Sequence, residues 1–250
     1  MNPINADHWP YPRWIAHRGA GKLAPENTLA AFRAGSAHGY RMFECDVKLS
    51  SDDVPFLLHD ATLERTTDGH GNAGEHSWSA LSELDAGSWH SPAFAGEPLP
   101  TLEIIAHYCL ARGSMLNLEI KPVPGTEQHT GELVARHAAR LWERAPIPPL
   151  LTSFSTAALQ GARATAPALP RGLLLDTLWD GWLDTALALE CKAIVCNHAL
   201  WNTASVAEAK NKGLVCLSYT VNDEATVRRL VHLGIQGLIT DRVDLFAPAN

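Results

Sequence analysis

Short apolar runs alternate with longer amphipathic stretches along most of the chain. This alternation is typical of strands that pair in parallel, with helices packed outside the sheet. Eight strands are predicted, and all but the last precede a predicted helix: Trp14–Ala16, Met42–Leu49, Met115–Lys121, Leu150–Phe154, Arg171–Asp176, Ala193–Asn197, Leu214–Val221 and Gly237–Asp241. The pattern predicts an α/β fold that closes as a (β/α)8 TIM barrel. An open doubly wound sheet is the alternative, and it is weakened because no G-x-G-x-x-G follows the first strand.

The hydrophobic period breaks down between residues 60 and 100. This segment is rich in Gly, Ser and His, with one short helical patch at Ser79–Leu84 and two tryptophans, Trp78 and Trp89. Irregular segments of this length inside a compact domain are typically lids or specificity insertions. A surface flap packed by its aromatic side chains is the alternative. We therefore predict one domain over residues 1–250, with an insertion at 60–100 after the second strand region.

Polar residues gather at the C-terminal ends of the predicted strands. Active sites of parallel barrels lie at this face. The groups that the predicted strand ends bring there are His17, Arg18, Glu44, Asp46, Glu119, Lys121, Ser153, Asn197, His198, Thr220, Asn222, Thr240 and Asp241. The sequence therefore predicts a polar site at this end of the barrel.

Three acids among these residues form a candidate metal site. Glu44 and Asp46 lie two positions apart on one strand, so both side chains point to the same face, and Glu119 lies near the end of the next barrel strand. Three buried carboxylates without a cation would repel one another or become protonated. Carboxylate oxygens suit one divalent cation, Mg²⁺ or Ca²⁺. A set of salt-bridged acids without a metal is the alternative.

Two cations flank these acids. Arg18 and Lys121, together with a dication, would bind a phosphate, the arginine through its planar fork and the lysine as a point charge. A structural pairing of Lys121 with Glu119 or Glu44 is the alternative.

Two histidines, His17 and His59, each follow a short apolar run near these charges. An ordinary imidazole pKa near 6.5 lets one histidine deprotonate a nucleophile while the other protonates a leaving alkoxide. Acids, cations and histidines together indicate metal-assisted cleavage of a phosphate ester.

Composition and charge limit the classes of partner that the protein is expected to bind. Hydrophobic residues make up 46% of the 250 residues and charged residues 19%, which is enough for a globular core. The net charge of −7 and the lack of a basic block argue against nucleic acid and anionic membrane surfaces. No apolar run approaches the roughly 18 residues of a spanning helix, so we expect no membrane insertion. The first residues also lack the basic and apolar regions of a secretory leader.

Five cysteines lie mostly within apolar runs: Cys45, Cys109, Cys191, Cys196 and Cys216. An odd number of embedded cysteines predicts reduced thiols and a cytoplasmic protein. A zinc site built on Cys191 and Cys196 is the alternative, although this pair lacks C-x-x-C spacing and a companion pair.

Several ordered motifs resemble those of the glycerophosphodiester phosphodiesterases. The matching segments are A-H-R-G at 16–19, P-E-N-T at 25–28, E-x-D at 44–46, H-D at 59–60, T-L-x-R-T-T-D-G-x-G at 62–71, L-D-A-G-S-W at 84–89, P-T-L at 100–102, E-I-K at 119–121 and T-D at 240–241. The resemblance implies a barrel hydrolase that converts small glycerophosphodiesters, the deacylated head groups of phospholipids, to sn-glycerol 3-phosphate and an alcohol. The same chemistry on lysophospholipids or other phosphodiesters, a non-catalytic phosphodiester-binding barrel and a homodimer stay open.

The resemblance also implies roles for individual residues. His17 and His59 look like the acid–base pair, Arg18 and Lys121 like phosphate ligands, and Glu44, Asp46 and Glu119 like metal ligands. Within P-E-N-T, Glu26 is expected to partner Arg18 or a histidine, and Asn27 to cap the following helix.

One position departs from the family pattern. Tyr219 stands where the family usually has tryptophan in W-T-x-N. Tyrosine keeps an aromatic wall for substrate binding but shrinks it and adds a hydroxyl, so the preference for the alcohol or glycerol moiety is the property that this change affects.

Overall fold

The computed structural model describes residues 4, 8–246 and 248. Its strands are β1 (Trp14–Ala16), β2 (Met42–Leu49), β3 (Pro55–Leu57), β4 (Met115–Ile120), β5 (Leu150–Ser153), β6 (Arg171–Leu175), β7 (Ala193–Asn197), β8 (Val215–Tyr219) and β9 (Gly237–Thr240). Its α-helices are α1 (Leu29–Ala37), α2 (Trp78–Leu81), α3 (Leu102–Arg112), α4 (Glu127–Leu141), α5 (Thr156–Thr165), α6 (Trp182–Ala188), α7 (Thr203–Asn211) and α8 (Glu224–Leu233). The expected lack of a leader concerns in part residues 1–3 and 5–7, which lie outside the described residues.

Eight parallel strands close into a barrel, as the sequence predicts. The sheet runs in the order β1-β9-β8-β7-β6-β5-β4-β2, and a further pairing of β1 with β2 joins its two ends. Closure excludes the open doubly wound sheet. Helices lie between successive barrel strands, so both faces of most strands are covered. This two-sided burial explains why β2, β5 and β6 are buried along their whole length.

Alternate residues of the barrel strands fill its interior. Ile15, Met42, Leu174, Val195 and Leu217 belong to one buried cluster contributed by five different strands. Their opposite neighbours pack against the helices, because successive side chains of a strand point to opposite faces. The interior is therefore a packed core, and polar groups occur where the inward-facing rows reach the strand ends.

The segment after β2 is more ordered than the sequence predicts. β3 pairs antiparallel with β2, a short strand that sequence reasoning missed because it is only three residues long. The segment then carries α2 and two short 3₁₀ helices, Ala73–Glu75 and Pro92–Phe94. It has its own buried cluster, formed by Phe56, Leu58, Leu63, Ala73, Leu81, Ala86 and Leu99. Aliphatic side chains and Phe56 hold it together, with Trp78 packed against this cluster, while Trp89 stays exposed.

The predicted helix cap at Asn27 is wrong. Thr28 caps α1, because its hydroxyl accepts a hydrogen bond from the Ala31 backbone N–H at 3.3 Å. Asn27 is buried and has a left-handed backbone, with φ of +60°. Its amide is directed to β2 instead of to the helix.

All five cysteines are free and buried. Within the described part of the chain, the only side chains grouped closely enough to hold a metal ion are three acids, so Cys191 and Cys196 form no zinc site there. Over the same residues, no helix combines the length and apolar character that a membrane crossing needs.

Candidate active site

Strand register brings the predicted site residues to one level of the barrel. Ala16 of β1 pairs with Phe43 of β2 and with Thr240 of β9. The residues that follow, His17, Glu44 and Asp241, therefore adjoin one another at the level where β1 and β9 end, while β2 continues past this level to Leu49.

The pairing of β2 with β4 adds the third acid. Asp46 lies directly opposite Glu119 in the parallel ladder. As a result, Glu44, Asp46 and Glu119 each offer a carboxylate oxygen within 4.8 Å of the other two. The three acids that the sequence groups together are also close in space.

Burial and mutual repulsion shift the titration of two of these acids. Burial, followed by the charges of Asp46 and Glu119, raises the pKa of Glu44 well above its ordinary value. Burial, followed by the charge of Asp46, raises the pKa of Glu119 to about 7. A cation between the carboxylates would offset both effects.

The Glu44 carboxylate has one satisfied oxygen and one unsatisfied oxygen. Oε2 accepts the Arg18 backbone N–H at 3.1 Å, whereas Oε1 is buried and has no hydrogen-bond partner among the described residues. Buried carboxylate oxygens without a partner are rare in folded proteins. Three converging acids with one orphaned oxygen fit a hard divalent cation, which prefers oxygen ligands.

Asp46 is held in its ionised form. Although burial acts to raise its pKa, the charges of Arg18, Lys121 and His59 and a hydrogen bond from Asn27 outweigh burial, so the pKa of Asp46 is lowered. Arg18 Nε lies 3.3 Å from Asp46 Oδ2, and Lys121 Nζ lies 3.8 Å from Oδ1.

Lys121 also pairs with Glu119. Its Nζ donates to Glu119 Oε1 at 3.1 Å, which is the structural pairing considered from the sequence. The Lys121 side chain nevertheless reaches the cavity beside the acids, so this ion pair and phosphate binding are compatible. Like Arg18, Lys121 has a raised pKa; burial opposes the rise, and the neighbouring carboxylates outweigh burial.

Each of the two candidate histidines is oriented by a carboxylate. His17 Nδ1 lies 2.7 Å from Asp241 Oδ1, and His59 Nδ1 lies 2.6 Å from Asp60 Oδ1. Ionised carboxylates accept the Nδ1–H, so Nε2 is left to face a ligand. Nε2 of His17 lies 3.8 Å from Glu44 Oε2, beside the acids.

The two carboxylates are themselves fixed. Asn222 Nδ2 donates to Asp241 Oδ2 at 2.9 Å, and its Oδ1 accepts the Asp241 backbone N–H at the same distance. The pKa of Asp241 is lowered because the hydrogen bond and charge of His17 outweigh burial. The pKa of Asp60 is also lowered, chiefly by a hydrogen bond from Arg65.

A strained turn after β1 delivers Arg18. Its φ is +50°, a left-handed conformation that costs a non-glycine residue of order 1 kcal/mol. The loop stays close to β9, since a Cβ at Gly21 would lie 2.2 Å from the Asp241 carbonyl oxygen. Arg18 Nη1 then donates to Glu26 Oε1 at 2.8 Å, which is the pairing expected for Glu26.

These groups surround a cavity of about 180 Å³. The predicted site residues that line it are His17, Arg18, Glu44, His59, Glu119, Lys121 and Tyr219. Asp46 lies behind them, only 1% exposed. The structure thus brings all eight predicted residues together.

One side of the cavity is aromatic. The Tyr219 ring meets the half-exposed Phe154 ring edge-on, with centroids 5.9 Å apart. The added hydroxyl of Tyr219 donates to the Leu175 carbonyl at 3.0 Å, so a hydrogen bond within the protein satisfies it. The ring, rather than the hydroxyl, therefore forms the wall.

A larger cavity, of about 670 Å³, lies elsewhere, against the segments that precede β5, β6 and β7. Its lining includes Pro146, Ile147, Pro148, Pro167 and Leu169 and carries no cluster of acids. Barrel chemistry takes place at the opposite end of the strands. The smaller cavity is therefore the candidate site despite its size.

Sequence reasoning missed several partners in this site. From the sequence alone, Asp241 is a polar strand end, Asn27 is a helix cap, and Arg65 has no assigned role. The T-D, P-E-N-T and R-T-T-D motifs were the available signals, but a motif does not tell which distant group each residue contacts.

Comparisons with known proteins agree with this geometry. The model of the glycerophosphoryl diester phosphodiesterase family matches residues 17–245. The YhdW protein of Bacillus subtilis is 32% identical over 236 residues, which cover 92% of this chain and 94% of its own. A glycerophosphodiester phosphodiesterase of Caldanaerobacter subterraneus is 31% identical and covers 91% and 93%.

A solved structure is also similar throughout. The chain resembles a phosphodiesterase of Oleispira antarctica in complex with the product sn-glycerol-3-phosphate, with a TM-score of 0.86 and 33% sequence identity. The match covers 92% of this chain and 93% of that one.

Proposed function

The chain belongs to the glycerophosphoryl diester phosphodiesterase family and is an enzyme of that class. From this premise we propose that it hydrolyses small glycerophosphodiesters to sn-glycerol 3-phosphate and an alcohol. The proposal assigns acid–base catalysis to His17 and His59, and dependence on one divalent cation, Mg²⁺ or Ca²⁺, to Glu44, Asp46 and Glu119. The product named for the Oleispira phosphodiesterase supports the glycerol 3-phosphate product.

One observation carries the proposal. Three carboxylates converge within 4.8 Å, one with an orphaned oxygen, and two carboxylate-oriented histidines line the same small cavity. In a purely structural ion-pair network, Glu44 Oε1 would have a hydrogen-bond partner. Such a network would also not need two imidazoles whose Nε2 atoms are available to a ligand.

The cations of the site bind the phosphate. Arg18 and Lys121 both line the cavity and remain protonated. They bind the non-bridging oxygens of the diester and stabilise the charge that grows in the transition state. A dication held by Glu44, Asp46 and Glu119 would add Lewis-acid stabilisation of the phosphate.

Two proton transfers are assigned to the histidines. One Nε2 takes a proton from the nucleophile, and the other gives a proton to the departing alkoxide. Asp241 and Asp60 stabilise the protonated forms of His17 and His59, respectively, because both carboxylates stay ionised. The nucleophile is water or the neighbouring glycerol hydroxyl, and ³¹P NMR detection of a cyclic phosphate distinguishes these routes.

The aromatic wall and the segment 60–100 complete the proposal. Tyr219 packs against the part of the substrate beside the phosphate, and the segment 60–100 covers the site as an insertion within one domain. Five free, buried cysteines support a cytoplasmic location.

A substrate panel tests the function. Alcohol release is measured from glycerophosphocholine, glycerophosphoethanolamine, glycerophosphoinositol and lysophosphatidylcholine. His17→Ala and His59→Ala are expected to lower kcat by roughly a hundredfold or more. His107→Ala, at an exposed position of α3, is the control and should keep the wild-type rate. A preference for lysophosphatidylcholine would show that lysophospholipids, rather than small glycerophosphodiesters, are the substrate class. Absence of hydrolysis of every diester would refute the proposal.

A further inference from the structure

The guanidinium of Arg65 links two carboxylates of the candidate site, Asp60 beside His59 and Glu26 beside Arg18. Arg65 lies in the segment 60–100, and its side chain is 44% exposed. Its Nε and Nη2 donate to Asp60 at 2.5 and 3.0 Å. Its Nη1 and Nη2 donate to Glu26 at 2.8 and 2.7 Å. Arg65 therefore holds two carboxylates at once, each through two hydrogen bonds.

The oxygens contacted by Nη2 are the ones that touch the proposed catalytic and phosphate-binding groups. Asp60 Oδ1 is the atom hydrogen-bonded to His59 Nδ1, and Glu26 Oε1 is the atom that accepts Arg18 Nη1. One nitrogen of Arg65 thus lies between the two oxygens that orient the imidazole and the phosphate-binding guanidinium.

We propose that Arg65 is a positioning residue that fixes His59 and Arg18 relative to each other through Asp60 and Glu26. The inference rests on the proposed function, because it takes His59 as the acid or base and Arg18 as a phosphate ligand. A planar fork spans two carboxylates with fixed angles, which a lysine ammonium does not reproduce. Small misplacements of reacting groups are costly, so the fork contributes to rate rather than mainly to folding.

Kinetics of Arg65 variants provide the first test. Arg65→Ala is expected to lower kcat/KM by about 10- to 100-fold, because partners that orient active-site groups typically contribute this much. KM is expected to rise through Arg18, and kcat to fall through His59. Arg65→Lys keeps the charge without the bridge and is expected to stay at least about fivefold below wild type.

Arg163→Ala is the matched control. Arg163 is 35% exposed and also pairs with a glutamate, Glu190, at 2.6 Å, but it lies on α5 outside the candidate cavity. Wild-type kinetics are expected for this variant. Circular dichroism and thermal melting check that each variant is folded, and Arg65→Lys decides the question if Arg65→Ala does not fold.

A double-mutant cycle tests the bridge itself. Glu26→Gln and Asp60→Asn are combined, once with Arg65 present and once with Arg65→Ala. With Arg65 present, their effects on kcat/KM are expected to be non-additive, because both act on one guanidinium. In the Arg65→Ala background, the effects are expected to add.

A third measurement does not depend on activity. Asp60 beside the ring, Asp46 on β2, Lys121 after β4 and Arg18 after β1 all face His59. Removing the Arg65 charge takes a cation away from Asp60, so Asp60 stabilises the His59 imidazolium more strongly. NMR titration of the His59 ring in Arg65→Ala is therefore expected to show a pKa higher than in wild type, by about one pH unit.

The outcomes separate this inference from the proposed function. An inactive wild type would refute the proposed function, while the His59 titration would still decide the role of Arg65. Wild-type kinetics in either Arg65 variant, a cycle that stays non-additive without Arg65, or an unchanged His59 titration would overturn the inference.

Discussion

Asn27 and Asp46 hold each other through two reciprocal hydrogen bonds. Asn27 Nδ2 donates to Asp46 Oδ2 at 2.8 Å, and the Asp46 backbone N–H donates to Asn27 Oδ1 at 3.1 Å. Both residues are almost fully buried. This pair fixes the carboxylate, whose other oxygen, Oδ1, lies 3.8 Å from Lys121 Nζ.

Replacing Asn27 by Asp tests this pair. The substitution keeps the shape but puts a second carboxylate against Asp46 in place of a donor. The free energy of unfolding of the metal-free protein is expected to fall by about 1–3 kcal/mol, the usual cost of a buried polar group left unsatisfied. Urea denaturation in EDTA measures the change. Asn211→Asp, at an exposed helix end, should change stability by only about 0.5 kcal/mol, and an equal effect of both substitutions would contradict the assignment.

Asp241 is expected to matter through His17 alone. Asp241→Asn removes the charge that stabilises the His17 imidazolium and permits the wrong tautomer. A fall in kcat of about 100-fold or more is expected, with KM nearly unchanged. Asn222→Ala, which removes two hydrogen bonds of Asp241 but leaves its charge in place, should cost less. Asp184→Asn, at an exposed position of α6, is the control, and a wild-type kcat in Asp241→Asn would show that His17 needs no carboxylate.

Metal binding is expected to depend on pH. The raised pKa values of Glu44 and Glu119 mean that the folded, metal-free protein binds these protons more tightly than the unfolded chain does. For Glu119 this contribution to stability is complete below about pH 4, the unfolded pKa, and is lost as the pH rises through about 7.

Cation binding reverses that balance, because coordination requires ionised carboxylates. The affinity for Mg²⁺ or Ca²⁺ should therefore increase between about pH 6 and 8, with release of protons. Calorimetry in buffers of different ionisation enthalpy measures this release. A metal affinity that does not change with pH, without proton release, would contradict the raised pKa values of Glu44 and Glu119.

The cysteines are expected to be unreactive in the folded protein. Burial raises the pKa of Cys109, Cys191 and Cys216 to about 12, and those of Cys45 and Cys196 also rise. Because the thiolate is the reactive form, a disulfide reagent at about pH 8 should label them slowly. All five should react once the protein is denatured. Rapid labelling of the native protein would show that a thiol is accessible.

The sequence predicted the barrel because its signal is local. Each strand is a short apolar run with a polar end, and each helix shows apolar residues at helical spacing. Leu102–Arg112, between its caps Thr101 and Gly113, is an example. The barrel rule then placed Glu44, Asp46 and Glu119 at one end without coordinates. By contrast, β3 was not predicted, because a run of three residues is too short to show the alternation of apolar and polar side chains that identifies a strand.

The contacts that orient the site could not be predicted in the same way. His17 and Asp241 are 224 positions apart, and only the register of β1 against β9 brings them together. Arg65 lies in an irregular segment where no periodicity indicates direction. Asn27 precedes a helix and has a residue type that favours caps, so local preference favoured the wrong partner. These contacts depend on tertiary geometry.

Cation dependence tests the central claim most directly. The rate of glycerophosphocholine hydrolysis is measured after chelation and dialysis, with the metal content checked by elemental analysis, and again after Mg²⁺ or Ca²⁺ is added. The account predicts that activity is lost with the cation and restored by its return, and that Glu44→Gln prevents the restoration. Full activity in excess EDTA, with no metal found in the protein, would contradict it.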